Sequence, residues 1–223
     1  LEFIAQWSEI LFEYELDESI DGIVITGAKN ASGDIEIPSK INGYNVKSIA
    51  KGAFIGSDIT SVTIPASVVS VNELAFAFCN KLEIVNLSAN LFEVGETTFV
   101  GCENIKEINF PADSEYLTTD ECGVIYTKDF ATLIYAPSNS ISDTYTMHPS
   151  TITVADYAFA DCDEFTLTLS DNLVVDDDSE LFNVLSVNGF VTSNACANFK
   201  AIDGVLYNKE KTTLIWYPAC LPL

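Results

Sequence analysis

Residues 75–90 read AFAFCNKLEIVNLSAN, and they are one copy of a pattern that occurs several times. AFIGSDITSVTIPAS (53–67) and TFVGCENIKEINFPAD (98–113) align with it. Ile59, Leu82 and Ile105 lie 23 residues apart at each step, as do Val62, Val85 and Ile108, and Ile64, Leu87 and Phe110. Upstream, Ile49, Val71 and Val94 are spaced by 22 and then 23, the missing residue falling between Phe54 and Ile59. YAFADCDEFTLTLSDN (157–172) is a fourth copy: Phe159 matches Phe76, Cys162 matches Cys79, and Leu167 and Leu169 take the places of Val62 and Ile64. LFNVLSVN (181–188) is a fifth, worn copy in which Phe182, Leu185 and Val187 keep the spacing. A fixed period of this length is the signature of a solenoid.

Each copy fits L-x-x-L-x-L-x-x-N, as in Leu82, Val85, Leu87 and Asn90. Val85 and Leu87 alternate, so they face one side of a short strand, while Ile84, Asn86 and Ser88 face the other. One such strand cannot bury its apolar side; stacking copies in parallel makes a sheet and a continuous core. Pro65 and Pro111 end the strand by removing a donor. A second apolar patch, Val69-Ser70-Val71 or Phe92-Glu93-Val94, crosses the opposite wall, and the Ala-Phe pair turns the corner between them. A second repeat overlies the first. CGVIYTKDFATLIYAPS (122–138) and DGVLYNKEKTTLIWYPA (203–219) match with an offset of 81 residues. Each reads as strand, polar turn, strand and proline stop, a β-hairpin.

Three features resemble the BspA-like leucine-rich-repeat family of surface proteins. The coil VKSIAKGAFIGSDITSVTIPASV (46–68) is similar to its repeat; FEYELDESIDGIVITGAKNASGDIEIPSKINGYNVKSI (12–49) is similar to its first coil, with an Ile-Pro-Ser and an Asn-Gly turn; and the G-V-L-Y-x-K…L-I-x-Y-P hairpin recurs. The chain departs from the pattern at Ser57, where the repeat has Cys, at Ser88, where it often has Pro, and over residues 173–198. The resemblance implies a leucine-rich-repeat solenoid, a right-handed, β-rich β/α superhelix with a parallel sheet on its concave face, and about five or six coils with two inserted hairpins. One domain, 1–223, is expected. It comprises an N-terminal capping coil (1–45), three regular coils (46–113), a hairpin insertion (114–142), two less regular coils (143–190), and the second hairpin with a truncated end (191–223), which leaves an open stack edge unless the hairpin caps it. It also implies a cell-surface or extracellular protein that adheres to host matrix proteins or to other cells.

Charge narrows the partners. Of 223 residues 33 are acids and 10 are bases, a net charge of −23, and every base is a lysine. An acidic chain without arginine repels nucleic acid and anionic membrane. No apolar run reaches the roughly 20 residues of a membrane span. The N-terminus, LEFIAQWSEILFEYELDES, has no basic residue and does not read as a signal peptide, so either a leader was removed or the chain is a piece of a longer protein.

Chemistry-bearing motifs are sparse. Cys79, Cys102 and Cys162 share one repeat position, which reads as a small buried hydrophobe; Cys196 and Cys220 bracket the second hairpin and are a candidate bridge. No C-x₂-C spacing suggests zinc. The acidic clusters Asp161/Asp163/Glu164 and Asp176-Asp177-Asp178 offer calcium ligands but no D-x-D-x-D-G loop, and solvated turns are the preferred reading, so no cofactor or metal is expected. His148, the single histidine, reads as a loop residue. Asn30-Ala31-Ser32 and Asn86-Leu87-Ser88 match the N-glycosylation acceptor.

No enzyme activity is expected; a carboxylate-based hydrolase ranks last. The candidate binding surface is the concave ladder Glu36, Thr63, Asn86, Asn109, Thr168 and Ser186, flanked by Ser61, Ile84, Glu107 and Thr166. The alternative is the hairpin aromatics Tyr126, Tyr135, Tyr207, Trp216 and Tyr217, since aromatics anchor interfaces. The partner expected is a protein; a glycan-binding or spacer module of a larger secreted protein is the alternative, and oligomeric state is left open.

Overall fold

A computed structural model describes residues 3–7, 10–95, 97–175 and 187–218. The chain divides at Thr119/Asp120 into two compact units. In the first, Ser32–Glu36, Asp58–Thr63, Ile84–Asn86 and Glu107–Asn109 form a parallel sheet in that order. Gly22–Lys29, Tyr44–Ile49, Ser70–Val71 and Glu93–Val94 form a second parallel wall, extended on its first edge by the antiparallel strands Ile10–Asp17 and Phe3–Trp7. Ile35, Val62, Val85 and Ile108 lie in register across one sheet, and Ile25, Ile49, Val71 and Val94 across the other; all are buried. From Val62 and from Ile49 onward these are the apolar columns that the spacing of 22 or 23 residues predicts; Ile35 and Ile25 extend them at steps of 27 and 24.

The second unit repeats the arrangement. Thr144–Thr146, Phe165–Thr168 and Val187–Val191 pair in parallel, and Thr132–Tyr135 pairs in parallel with Thr153–Val154. The solenoid has about seven turns rather than five or six. The N-terminal segment completes a full turn of its own, with strands in both sheets. Both hairpins form: Ile125–Thr127 pairs antiparallel with Thr132–Tyr135, and Val205–Asn208 with Leu214–Trp216. Two features were not in the sequence reading. Thr132–Tyr135 doubles as a wall rung of the stack, and Phe199–Ile202 adds a third strand to the second hairpin through an Asp203-Gly204 turn with φ of 50° and 83°. Phe190 N–H donates to Gly204 O (2.9 Å), so the second hairpin covers part of the edge strand Val187–Val191.

The β/α wording needs correcting: among the described residues there is no helix, and both walls are strands. The corner residues Gly52, Gly56, Leu74 and Phe78 have φ between 57° and 70°, a left-handed geometry that stops a right-handed helix. Phe54 and Gly56 instead donate to Ala75 O and Ala77 O of the next coil, both at 2.8 Å. Phe92 also departs from expectation. Leu91 and Val94 fill the wall's core positions, while Phe92 is 53% exposed.

The corner explains both conserved positions of the pattern within the chain. Phe54, Phe76 and Phe99 stack at 5.0 and 5.7 Å with planes 10° apart. Cys79 Sγ donates to Phe54 O (3.1 Å) and Cys102 Sγ to Phe76 O (3.0 Å), each tying one coil to the coil before it. Cys162 does the same toward Ala136 O at 3.6 Å. Ser57, the departure from Cys, places its hydroxyl 3.3 Å from Cys79 Sγ. The hydrogen bond from Cys102, assisted by Ser57, lowers the Cys79 thiol to about 7, yet Cys79 has no exposed surface. Burial, then Asp161 and Asp163, push Cys162 up to about 12. Cys79, Cys102, Cys162 and Cys196 are all free and buried; Cys122 is free and exposed. The candidate Cys196–Cys220 bridge finds no support, since Cys196 carries a free thiol; Cys220 lies outside the described residues.

Phe76→Ala removes the middle ring of the stack, and it is expected to cost about 3–5 kcal/mol. Urea unfolding checks this; a loss below about 1 kcal/mol would mean that the stack does not carry the core. A second expectation concerns the thiols. Cys79 and Cys102 should resist iodoacetamide in the folded chain despite the low value at Cys79, and Cys122 should react. Partial burial, then Asp120 and Glu121, raise the Cys122 thiol, so its alkylation rate should keep climbing beyond the pH where an ordinary thiol levels off. Glu121→Gln should move that profile to lower pH; peptide mass mapping across pH reads both.

Candidate functional site

Parallel pairing puts Glu36 opposite Thr63, Thr63 opposite Asn86, and Asn86 opposite Asn109. The four ladder residues proposed for the first unit therefore form one continuous column. Glu36, Thr63 and Asn109 are exposed and Asn86 is half-buried. Three of its four rungs are joined by side-chain hydrogen bonds: Asn109 Nδ2 donates to Asn86 Oδ1 (3.1 Å), and Asn86 Nδ2 donates to Thr63 Oγ1 (3.3 Å). The flanking column is Asp34, Ser61, Ile84 and Glu107. Asp34 Oδ1 accepts from Thr60 Oγ1 (2.7 Å) and Ser61 Oγ (2.8 Å), and those two bonds hold its carboxyl below the usual carboxylate range. The result is a flat, mostly polar surface whose side chains bond to one another.

In the second unit Thr168 sits between Thr146 and Val191. Ser186 lies outside the described residues, and the ladder position opposite Thr168 belongs to Val191, which is 46% exposed. The register slips between Phe165 and Thr166, where Gly189 faces Thr166 and Phe190 faces Leu167. Beyond it the step is the 23 residues of the regular coils, not the 18 that the worn fifth copy implies by placing Ser186 opposite Thr168. Thr144 and Thr146 face Thr166 and Thr168 and were missed, because no Ala-Phe corner precedes their coil.

The hairpin aromatics divide. Tyr126 and Tyr135 are buried, so they are core and not contact surface. Tyr126 Oη bonds to Tyr145 Oη (2.6 Å), which donates to Asp120 Oδ2 (2.6 Å). Asp120 Oδ1 in turn accepts from the backbone N–H of Cys122 and Val124. Burial raises both tyrosine hydroxyls, so the chain of bonds stays protonated and structural. Tyr207 and Trp216 are half-buried and Tyr217 is exposed. His148 stacks on Phe130 with ring centroids at 4.0 Å, a packing role.

Asp161 accepts from Tyr135 Oη (3.2 Å), and Asp176, Asp177 and Asp178 lie outside the described residues. Among the described residues no three His, Cys, Asp or Glu side chains come together as a metal site. An open cleft of about 510 Å³ is lined by Lys51, Asn72, Glu73, Glu93, Val94 and Gly95, and Lys51 is tied to Glu73 at 2.6 Å. Of the two glycosylation matches, Asn86 has its amide engaged in the ladder.

The comparisons with known proteins agree with this geometry. The sequence model of the BspA-type leucine-rich-repeat region matches residues 31–122 in six copies. The chain is similar to the T. pallidum leucine-rich-repeat protein TpLRR, with 24% identity, 81% of this chain and 82% of that one covered, and a TM-score of 0.52. A leucine-rich cell surface protein from Faecalibacterium prausnitzii A2-165 gives 18% identity, 97% and 62% coverage, and a TM-score of 0.57. A leucine-rich-repeat protein from Bacteroides capillosus is 34% identical over 53% of this chain and 88% of its own, with a TM-score of 0.43. No curated protein matches significantly. Among the described residues no helix is long and apolar enough to cross a membrane. With its coil motif, its corner cysteines and its stacked parallel rungs, the chain belongs to the BspA-type leucine-rich-repeat family.

Proposed function

We propose that the chain is a non-enzymatic, extracellular binding module that recognises a protein of the host matrix or of a cell surface, and that the ladder Glu36–Thr63–Asn86–Asn109 is its contact face. The observation that carries this reading is the in-register, hydrogen-bonded polar column on the outer side of a parallel sheet. Solenoids bind through such extended surfaces. Thr63, Asn86 and Asn109 are short, so a partner backbone can approach closely, and their mutual bonds already order them, so little rotamer freedom is lost on contact. The likeness to a cell-surface protein supports the location.

The test is binding to a panel of immobilised matrix and cell-surface proteins by surface plasmon resonance. The double variant Asn86→Trp/Asn109→Trp places two large rings on the ladder and leaves the buried columns untouched. It should weaken binding by about tenfold or more with an unchanged circular dichroism spectrum. Unchanged binding would remove the ladder as the contact face; binding of soluble oligosaccharide in place of protein would favour a glycan module.

A further inference from the structure

A second surface feature lies away from the ladder. Phe92 N–H donates to Val69 O (3.0 Å) and Val69 N–H to Lys47 O (2.9 Å), which makes Lys47, Val69 and Phe92 one column on the second wall of the first unit. Phe92 is 53% exposed and Tyr116 is 49% exposed. Their rings meet edge to face, with centroids 6.2 Å apart and planes at 72°. Tyr116 is positioned by its loop: the buried Ser114 fixes the backbone on both sides, through Ser114 N–H to Pro111 O (3.0 Å) and Ser114 Oγ to Leu117 O (2.9 Å). Two large aromatic rings thus stand in solvent on a fixed backbone, while the adjacent Leu91 and Leu117 do the burying. Scattered exposed apolar residues need no explanation, but a mutually oriented aromatic pair supplies an interaction geometry.

The charges beside the pair say what would cover it. Glu93 follows Phe92 and Glu115 precedes Tyr116; both are exposed, as is Asp113. Among the described residues neither Glu93 nor Glu115 belongs to an ion pair, whereas Glu13, Asp58, Glu73 and Glu83 are each held by a lysine. Lys47, two rungs along the column, lies against Gly22. We propose that Phe92 and Tyr116, with Glu93 and Glu115, form a docking point for an arginine side chain of a basic protein partner. A planar guanidinium stacks on an aromatic face, sheds water more readily than an ammonium, and bonds a carboxylate with two parallel N–H groups. This chain cannot fill the site in a second copy of itself: it has no arginine, and two molecules of charge −23 repel. The inference rests on the reading of the chain as a protein-binding scaffold, and it does not depend on the ladder.

The test is a titration of the ¹⁵N-labelled full chain with N-acetyl-arginine methylamide, and with the neutral citrulline analogue, at near-physiological salt. Saturable amide shifts should centre on Phe92, Glu93, Glu115 and Tyr116, and citrulline should give none there. Phe92→Leu/Tyr116→Leu keeps the apolar area and removes the π faces, and it should weaken the arginine response roughly threefold or more. Shifts spread evenly over the acidic surface, an equal citrulline response, or an unaltered response in the leucine variant would each overturn the proposal. So would saturable shifts at these amides with cellobiose and none with arginine, which would assign the pair to a sugar. Loss of matrix binding in the ladder variant with no local arginine response would sink this inference alone; a local arginine response with matrix binding intact in that variant would sink the ladder alone.

Discussion

The parallel rungs of both walls depend on the hydrogen bond between equivalent residues of consecutive coils, across a gap of about 4.8 Å. Ser70–Val71 and Glu93–Val94 are two residues long and persist only as rungs, the first held between two neighbours and the second, at the edge, by Ser70–Val71. The same constraint stacks each side chain on its own counterpart. Apolar positions become columns, and the phenylalanine corner becomes a stack of rings. Asparagine becomes a stitch: Asn72, Asn90, Asn104 and Asn198 each donate Nδ2 to a backbone carbonyl of the preceding coil, at 2.7 to 2.8 Å. The Asn of the repeat pattern, Asn90, is one of these stitches, fixing its turn to the coil before it.

Stacking is less forgiving of charge. Like charges directly opposite one another across a sheet are destabilising, and a chain with 33 acids risks columns of carboxylates. The lysines are placed against this. Lys51 meets Glu73, Lys81 meets Asp58 and Lys106 meets Glu83, each pair joining neighbouring coils at 2.6 to 3.0 Å. All are exposed and contribute little attraction individually. Their larger effect is to prevent the repulsion that an acid at the same position would create.

The regular half of the fold was legible because in-register stacking writes its spacing directly into the sequence. Ile49, Val71 and Val94, or Val62, Val85 and Ile108, could be aligned by counting, and so could Thr63, Asn86 and Asn109 on the outer side. Counting fails where a worn copy misleads it. LFNVLSVN (181–188) points to Ser186 for the ladder, whereas the 23-residue step from Thr168 leads to Val191, the residue the sheet places there. It fails again where burial is decided far away. Tyr126 looks like a surface anchor until Tyr145 and Asp120 are folded against it, and Phe92 looks like a wall residue until Leu91 takes the inner position. Ser88 shows the opposite case: it stands where other coils have proline, and its buried hydroxyl accepts Asn90 N–H (3.1 Å), keeping the turn by another route.

A ladder that stabilises its own scaffold can still serve recognition, because its bonding capacity is not exhausted. Asn86 uses one N–H toward Thr63 and one lone pair toward Asn109, and an amide side chain has two of each. The remaining donor and acceptor are held at fixed positions by the bonds already made, so a partner meets groups whose conformational entropy has been spent in folding. Long charged side chains on the same face would have to be ordered at the moment of contact. On the proposed reading this divides the labour: a net charge of −23 favours basic partners at a distance and speeds their approach, while the mutually bonded column would determine which of them fits.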